Sequence, residues 1–365
     1  MKEFAKDLLE VPNPETPQRQ PLTIRTVSEL LAMSFDDSDI VMGNRLLSEG
    51  NLAVWNGAGG LGKSRLALQL AACCRTRREF IGLPTYRPEL TWLILQTENA
   101  NRRLQADLLR LRDWLGDDFH AFESGVFFHT IENDMDGEVA LSNPLNVAAI
   151  EDKVRELSPG VVVADPLGPY AVGDLNSDEH MRATAGALMR IIKTGNPKRI
   201  PLFLHHAMTG KTGAAKAVGY DRTSFSRNSK VLFAMTRSQI NLAPIDPNDN
   251  ARLLVACGKN SNGPEFAPFA IKLNPETFIY ERDESFDLDA WLSEMANTKE
   301  RKSAGITSDR IRELCAVGGI DKADLSKAVM RECGCARGTS YKLIDKAAAT
   351  KKIKIRKNDL MCFRN

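Results

Sequence analysis

The feature that most constrains this chain is a glycine-rich run of eight residues, Gly57-Ala58-Gly59-Gly60-Leu61-Gly62-Lys63-Ser64. It follows an apolar run, Leu52 to Trp55, and opens a stretch with helical spacing, Arg65 to Cys74. Between a strand and a helix, such glycines let successive backbone N–H groups point at a phosphate, and the helix N-terminus adds positive potential. In this spacing the lysine reaches the β/γ-phosphates and the serine hydroxyl joins Mg²⁺. The run therefore predicts a phosphate loop that binds ATP.

Two carboxylates follow apolar runs further along the chain. Asp165 comes directly after Val161 to Ala164, and Glu98 follows the run that ends at Gln96. Because the carboxyl ends of parallel strands open onto one crevice, both side chains are expected near the phosphates. Asp165 is the candidate for holding Mg²⁺, and Glu98 is the candidate for the base that orients the attacking water. For each, the alternative is an ordinary cap or turn residue.

Composition indicates a globular protein. The 365 residues are 43% hydrophobic and 26% charged, which excludes collagen-like, mucin-like and wholly disordered chains. No stretch approaches the ~18 apolar residues of a membrane helix, and the first residues do not resemble a signal peptide, so we expect a cytoplasmic protein. The cysteines and histidines are too scattered to predict a disulfide framework or a structural zinc site. The expected metal is nucleotide-bound Mg²⁺.

Nine short β-rich runs lie between residues 50 and 283, and helical patterns separate the first five. This alternation is typical of an α/β fold with a mostly parallel sheet covered on both faces, and the last four runs indicate an antiparallel or meandering extension. The runs are Leu52–Trp55, Leu90–Gln96, Val126–Ile131, Val161–Ala164, Pro201–Leu204, Val231–Met235, Leu253–Cys257, Phe269–Leu273 and Phe278–Tyr280. The predicted organisation is a lead-in segment at 1–48, an ATPase domain at 49–283, a helix and linker at 284–304 and a small domain at 305–365.

Residues 301–365 are basic, with 16 Lys and Arg against 7 Asp and Glu, a balance of +9. The whole chain carries +2, so residues 1–300 carry −7. Within 305–365 the pattern predicts a winged helix that binds DNA, and the alternative is a protein-interaction module. The expected helices are Ser308–Ala316, Lys322–Glu332 and Thr339–Ala349, followed by a hairpin with a turn at 357–359. Residues suited to phosphate and major-groove contacts are Arg337, Thr339, Tyr341, Lys342 and Lys346.

In chain order, the phosphate loop, the Glu98 strand, the Asp165 strand and the run Phe203-Leu204-His205-His206-Ala207 resemble the RecA-fold ATPases. The likeness is greatest to the hexameric replicative helicases of the plasmid RepA type, which are related to DnaB, and it covers about residues 40 to 282. It implies a RecA-like core in which Glu98 is the catalytic base, Asp165 contacts Mg²⁺, and His206 or His205 senses the γ-phosphate. The alternative for the two histidines is a structural role.

Residues 208–230, here called the basic segment, contain three glycines and no apolar periodicity, so we expect a long loop. In RecA-fold helicases this position holds a loop that faces a central channel. The resemblance therefore implies that Lys211, Lys216 and Arg222 contact the phosphates of single-stranded DNA. A surface loop without such a role is the alternative.

Arg237 is expected after the strand Val231–Met235, and Lys259 after the strand Leu253–Cys257. On the late side of the sheet neither reaches its own subunit's nucleotide, and the resemblance implies that Arg237 is an arginine finger for a neighbour and Lys259 its auxiliary. The run Lys259-Asn260-Ser261-Asn262-Gly263-Pro264 resembles the Lys-x-Arg-Asn-Gly-Pro segment of DnaB-type helicases. It has Ser261 where that pattern has arginine, which favours Arg237 as the finger. Solvated surface cations are the alternative.

These features together predict an ATP-driven, oligomeric DNA helicase or translocase, a hexamer, in the replication of a plasmid or mobile element. Its ligands are ATP and Mg²⁺. Its expected partners are further copies of the chain, single-stranded DNA in a central channel and duplex DNA at the C-terminal domain. The alternative is an ATP-switched, DNA-binding initiator or regulator that assembles without unwinding.

Overall fold

The computed structural model describes residues 22–207, 213–219, 222–223, 225, 230–246, 249–294, 306–315, 319–335, 337–356 and 361–364. The chain divides into two compact units, residues 1–39 and residues 40–365. In the first unit, helix α1 (Val27–Leu31) begins at a capping box between Thr26 and Glu29. The Thr26 hydroxyl accepts from the Glu29 backbone N–H at 3.2 Å, and the Glu29 carboxylate accepts from the Thr26 backbone N–H at 2.6 Å. These bonds satisfy donors that the first turn of a helix leaves free.

The second unit is built on a nine-stranded sheet. A short antiparallel pair, β1 (Ile40–Met42) and β2 (Leu47–Ser48), precedes it. The strands of the large sheet are β3 (Ala53–Gly57), β4 (Trp92–Gln96), β5 (Val126–Phe128), β6 (Val161–Asp165), β7 (Ile200–His206), β8 (Ser238–Asp246), β9 (Asp249–Asn260), β10 (Phe269–Leu273) and β11 (Tyr280–Arg282).

The strand order is β11-β10-β9-β8-β3-β7-β6-β4-β5. The six strands from β8 to β5 are parallel, whereas β9, β10 and β11 each run antiparallel to the strand before them. The carboxyl ends of β3, β7, β6 and β4 therefore open onto one edge of the sheet. The predicted α/β class, with a mostly parallel sheet and an antiparallel extension, is confirmed.

Helices cover both faces of this sheet. One face packs against the second, third and fourth helices through a cluster that includes Leu70, Leu111 and Phe122. The other face packs against the fifth, sixth and eighth through a cluster that includes Val154 and Leu188. The helices are α2 (Lys63–Thr76), α3 (Asn101–Leu115), α4 (Phe119–Glu123), α5 (Pro144–Leu157), α6 (Asp178–Lys193), α7 (Gly213–Val218) and α8 (Lys230–Met235). Among the described residues, no helix is long and apolar enough to cross a membrane.

One expected strand is wrong. Residues 231–235 lie in α8, and the strand beside β3 is β8, which begins at Ser238. A short apolar run such as Val-Leu-Phe-Ala-Met fits a buried helix or a buried strand equally well. The sequence does not predict β8 because Gln239 and Asn241 occupy buried positions and Pro244 lies further along the strand. Arg237 therefore precedes a strand instead of following one.

The described residues between 306 and 364 have a small apolar core of their own, which includes Ile311, Leu325, Val329 and Ile344. Its helices are α9 (Ser308–Leu314), α10 (Lys322–Cys333) and α11 (Arg337–Ala349). Its strands, in the order β12-β14-β13, are β12 (Ile320–Asp321), β13 (Ile353–Ile355) and β14 (Met361–Arg364). The three helices and the hairpin lie close to their predicted positions, and β12 is additional. The turn predicted at 357–359 lies outside the described residues.

Candidate functional site

The glycine-rich run connects the end of β3 to the first turn of α2. Gly57 is the last residue of β3 and Lys63 is the first residue of α2. Gly60 and Gly62 have φ angles of 76° and 80°, in the left-handed region that glycine adopts without strain. At Gly62 a Cβ would also overlap the hydroxyl of Tyr280. The loop therefore needs glycine at 62 for its backbone and for its packing.

Lys63 is the buried cation of this loop, with 7% of its surface exposed. Its ammonium donates to the carbonyls of Gly57 at 2.8 Å and Ala58 at 2.9 Å. Burial lowers the pKa of Lys63, and the negative charges of Asp165 and Glu98 oppose that shift. An ammonium held inside a glycine-rich loop, in a cleft that two carboxylates also line, is suited to contact phosphate oxygens.

Asp165 ends β6 and is 5% exposed. Burial raises the pKa of Asp165 to about 6; the charge of Glu98 adds to the rise, whereas a hydrogen bond from the Ser64 hydroxyl and the charge of Lys63 oppose it. A hydroxyl and a carboxylate are oxygen ligands of the kind that Mg²⁺ prefers, and a divalent cation would stabilise the ionised Asp165. The donors present therefore fit the expected Mg²⁺.

Glu98 is exposed at the cleft that these residues form. β4 pairs with β6 so that Gln96 is opposite Asp165, and the Thr97 backbone N–H donates to the Asp165 carbonyl at 3.1 Å. This pairing of β4 with β6 places Glu98 next to the candidate Mg²⁺ ligands. The cleft has a volume of about 430 Å³. The predicted site residues among those that line it are Gly59, Gly60, Gly62, Lys63, Ser64, Glu98, Asp165 and His206.

The two histidines differ in location. The register of β3 and β7 places Asn56 opposite His205 and Gly57 opposite His206. His205 is 6% exposed within the sheet. His206 is half-buried and lines the cleft, and a Cβ on Gly59 would lie 3.9 Å from its Cε1 atom. Of the two, His206 is therefore the one that faces the phosphate loop.

The sequence does not reveal the contribution of Tyr280 to this site. Its hydroxyl donates to the Leu61 carbonyl at 3.2 Å, so the ring packs against the phosphate loop. Its backbone is held by Gln69 on α2, which donates to the Tyr280 carbonyl at 2.8 Å and accepts from the Tyr280 N–H at 2.9 Å. Burial raises the pKa of Tyr280. No local pattern connects residues that lie more than two hundred positions apart.

Arg237 and Lys259 lie at the opposite end of the sheet from the phosphate loop. The backbone N–H of Arg237 donates at 2.9 Å to the carbonyl of Leu52, the residue before β3 begins, and its side chain is exposed. Lys259 pairs with Gln239 near the start of β8 and donates to the Phe233 carbonyl at 2.8 Å. Burial lowers the pKa of Lys259, and the charge of Arg237 adds to that shift. The structure brings these two cations together, away from this chain's own phosphate loop.

The sequence predicts that the basic segment is a loop, but part of it is helical. Its alanine-rich part forms α7, since alanine has the highest helix propensity, and Ala217 and Phe225 are buried on the sheet. Lys216 is half-exposed on α7. The Arg222 guanidinium forms an ion pair with Glu265 at 2.7 Å, so its charge is partly neutralised. Lys211 lies outside the described residues.

The candidate DNA contacts near the C-terminus share one helix. Arg337, Thr339, Lys342 and Lys346 are exposed on α11, and Tyr341 is half-buried. The Tyr341 ring centroid lies 5.8 Å from the Arg337 guanidinium carbon. Exposed cations gathered on one helix are the electrostatic pattern expected of a surface that contacts phosphates.

A family model described as the AAA domain matches residues 18–214. Among solved structures, the chain is similar to a KaiC-like protein from the hyperthermophilic archaeon Pyrococcus horikoshii OT3, with a TM-score of 0.44 and 15% identity, covering 65% of this chain and 91% of that chain. It is also similar to the RadB recombinase, with a TM-score of 0.43 and 13% identity, covering 65% of this chain and 93% of that chain. A comparison with curated protein sequences finds no match.

Proposed function

We propose, from the premise that the chain belongs to the family of proteins with the AAA domain, that it is an ATP hydrolase that acts on DNA as an oligomeric helicase or translocase. The match to the AAA domain and the strand order of the large sheet together support a RecA-like P-loop ATPase core. The proposal includes the role in plasmid or mobile-element replication and the cytoplasmic location that the sequence predicts. It also includes a winged helix at residues 305–365 and the domain boundaries that the sequence predicts.

The observation that carries the proposal is the meeting of Lys63, Ser64, Asp165 and Glu98 in one cleft at the carboxyl end of the sheet. Lys63 would contact the β/γ-phosphate oxygens, and Ser64 and Asp165 would hold Mg²⁺. The bound Mg²⁺ supplies positive charge that stabilises the negative charge of the phosphates in the transition state. Glu98 would accept a proton from water as the water oxygen bonds to the γ-phosphorus and the bond from that phosphorus to the bridging oxygen breaks.

The positions of Arg237 and Lys259 support an assembly of copies arranged head to tail. Such an interface joins two different surfaces of the subunit, and it forms a ring when the rotation closes. The end of the sheet that bears the two cations would then meet the nucleotide cleft of the next subunit. Arg237 would stabilise charge on the neighbouring γ-phosphate, with Lys259 as its auxiliary. We propose a hexameric ring with single-stranded DNA in its channel.

DNA contacts are proposed at two places. Lys211, Lys216 and Arg222 of the basic segment would contact the phosphates of single-stranded DNA without reading its bases. The α11 residues described above would contact duplex DNA. Lys and Arg side chains neutralise phosphates in a salt-dependent manner, so binding to both forms of DNA should weaken as the salt concentration is raised.

The test is steady-state ATP turnover with Mg²⁺, measured with and without single-stranded DNA. The wild type should turn over ATP, and DNA should stimulate it. Lys63→Ala should abolish turnover, whereas Glu98→Gln should stop hydrolysis and still bind ATP, because the amide cannot accept the water's proton. Glu123→Gln, an exposed glutamate on α4, is the matched control and should behave as the wild type. Full hydrolysis by Glu98→Gln would remove Glu98 as the base.

A further inference from the structure

Three buried carboxamides lie on one face of the sheet, between the phosphate loop and the basic segment. Asn56 is on β3, and Gln239 and Asn241 are on β8; each is at most 1% exposed. The register places Asn56 opposite Asn241. Because Asn56 directly precedes Gly57, this amide row begins where the phosphate loop begins.

The hydrogen bonds of the amide row end on the backbone of the basic segment. Asn56 Nδ2 donates to Asn241 Oδ1 at 3.4 Å, and Gln239 Nε2 donates to the same oxygen at 3.0 Å. Asn241 Nδ2 donates to the Arg222 carbonyl at 2.8 Å and to the Ala217 carbonyl at 3.4 Å. Gln239 Nε2 also donates to the Arg222 carbonyl, at 3.3 Å. Side chains of the sheet thus hold the main chain of the basic segment at two points.

The neighbouring strand leaves room for these amides. Gly258 lies at an irregularity of β9, where Cys257 pairs with Ile240 and Lys259 pairs with Gln239. A Cβ on Gly258 would lie 2.6 Å from Gln239 Nε2 and 3.0 Å from Asn241 Nδ2. Gly258 does not have a positive φ. Its backbone therefore does not require glycine, but the packing of the two amides does.

Burying three amides destabilises the folded state relative to apolar side chains at the same positions, so packing alone does not explain the amide row. A buried polar group left without a hydrogen bond destabilises the folded state, because it loses its hydrogen bonds to water and gains none in return. Asn56 Oδ1 is buried and accepts no hydrogen bond from the described part of the chain. Val54, two residues earlier on the same face of β3, is part of the apolar core instead. An apolar side chain at position 56 would avoid this cost, so the amide row calls for a role beyond packing.

We propose that the amide row couples the phosphate loop to the basic segment, with Asn241 as the positioning residue at its centre. The amide of Asn56 has a long hydrogen bond and an unused acceptor, so it can change partners when the phosphate loop adjusts to nucleotide. Because Asn56 and Gln239 share one oxygen of Asn241, a change at Asn56 alters how firmly the Arg222 carbonyl is held. A nucleotide that favours one arrangement shifts the equilibrium at both ends. The inference rests on the proposed function, in which ATP occupies the phosphate loop and the basic segment contacts DNA.

Trypsin cleavage after Lys216 and Arg222 reports on the basic segment without DNA. Its rate is measured in the full chain, with and without Mg²⁺ and a non-hydrolysable ATP analogue, for the wild type, Asn241→Ala and Gly258→Ala. Ser238→Ala is the matched control, because Ser238 is buried on β8 and its hydroxyl has no partner among the described residues. Binding of a fluorescent form of the analogue is measured in parallel, and circular dichroism verifies that each variant is folded.

In the wild type and in Ser238→Ala, the analogue should change the cleavage rate by about fivefold or more, the lower end of typical coupling between two sites. In Asn241→Ala and Gly258→Ala the analogue should still bind, but the change should fall below about twofold. If Asn241→Ala does not fold, Gly258→Ala decides the question, since it removes no hydrogen-bonding group.

Two results would overturn the coupling alone. One is a response of folded Asn241→Ala, or of Gly258→Ala, that equals the wild-type response. The other is a wild type that binds the analogue with no change in cleavage; ATP turnover would then stand without the coupling. A wild type that binds no analogue would overturn the proposed function, and the coupling with it, so the two failures are distinguishable.

Discussion

At the scale of single residues, Asp165 is the group through which pH and Mg²⁺ should act on this protein. Burial raises its pKa from 3.8 to about 6. Between these two values the folded state binds more protons than the unfolded state, so the free energy of unfolding falls as pH rises through this window. Above about pH 6 the buried carboxylate is ionised and its full cost is present. A bound Mg²⁺ offsets that cost by supplying the opposite charge.

The corresponding variant is Asp165→Asn, which is neutral at every pH. Without Mg²⁺, the free energy of unfolding of the wild type relative to Asp165→Asn should fall by about 2 kcal/mol between about pH 4.5 and about pH 7.5. Urea unfolding at the two pH values measures this difference. Asp113→Asn, at an exposed position on α3, is the control and should show little change. A pH-independent difference for Asp165→Asn would contradict the account.

The sequence predicts the site residues that belong to a recognisable local pattern. The glycines, Lys63 and Ser64 belong to one contiguous run, and Glu98 and Asp165 each follow an apolar strand, so their convergence follows from the parallel sheet. Tyr280 carries no such signal, because its hydroxyl meets the Leu61 carbonyl only after the antiparallel extension has folded back. The nucleotide-binding, Mg²⁺-binding and catalytic roles assigned to Lys63, Ser64, Asp165 and Glu98 remain predictions.

At the scale of elements, α2 and β11 are joined beside the phosphate loop by the pair of hydrogen bonds between Gln69 and the Tyr280 backbone. Gln69→Leu would leave a buried N–H and a buried C=O without partners, at a cost of about 3 kcal/mol in the free energy of unfolding. Tyr280→Phe is the matched comparison, because it keeps the backbone and the ring and removes only the hydroxyl, whose bond to the Leu61 carbonyl is worth about 1 kcal/mol.

Urea unfolding measures both costs. We also expect Gln69→Leu to raise the KM for ATP, because Tyr280 packs against Gly62 and its displacement loosens the loop. A Gln69→Leu variant as stable as Tyr280→Phe would show that the junction does not support the phosphate loop.

The strands that the sequence predicts correctly are apolar runs, such as Val161 to Val163 in β6. β8 is missed because the amides that hold the basic segment interrupt its apolar pattern, and α8 is misassigned because five apolar residues in a row have no period that separates helix from strand. The error therefore lies where the sheet carries polar side chains for a purpose other than packing. Periodicity alone cannot identify such a strand, since its partners lie in a distant segment.

At the scale of the whole molecule, Arg237 and the phosphate loop lie at opposite ends of the sheet. This separation predicts that ATP turnover requires two neighbouring subunits, one supplying the phosphate loop and the other supplying Arg237. Arg237→Ala should bind ATP normally and lose about 10³-fold in turnover, as removal of an arginine finger does. Lys272→Ala, at an exposed cation on β10, is the matched control and should retain turnover.

Mixing Arg237→Ala with Lys63→Ala should restore some turnover, because a mixed interface can combine an intact phosphate loop with an intact Arg237. Turnover of the mixture is measured as a function of the ratio of the two variants. No recovery at any ratio would indicate that each subunit works alone, and would count against the ring.

Strand displacement on a forked DNA substrate tests the central claim most directly, because it asks whether ATP hydrolysis moves the protein along DNA. The wild type with Mg²⁺ and ATP should release the labelled strand, and it should not do so with a non-hydrolysable analogue. Lys63→Ala and Glu98→Gln should release none. ATP turnover that DNA stimulates, with no strand released, would contradict the helicase and indicate an ATP-switched, DNA-binding initiator or regulator.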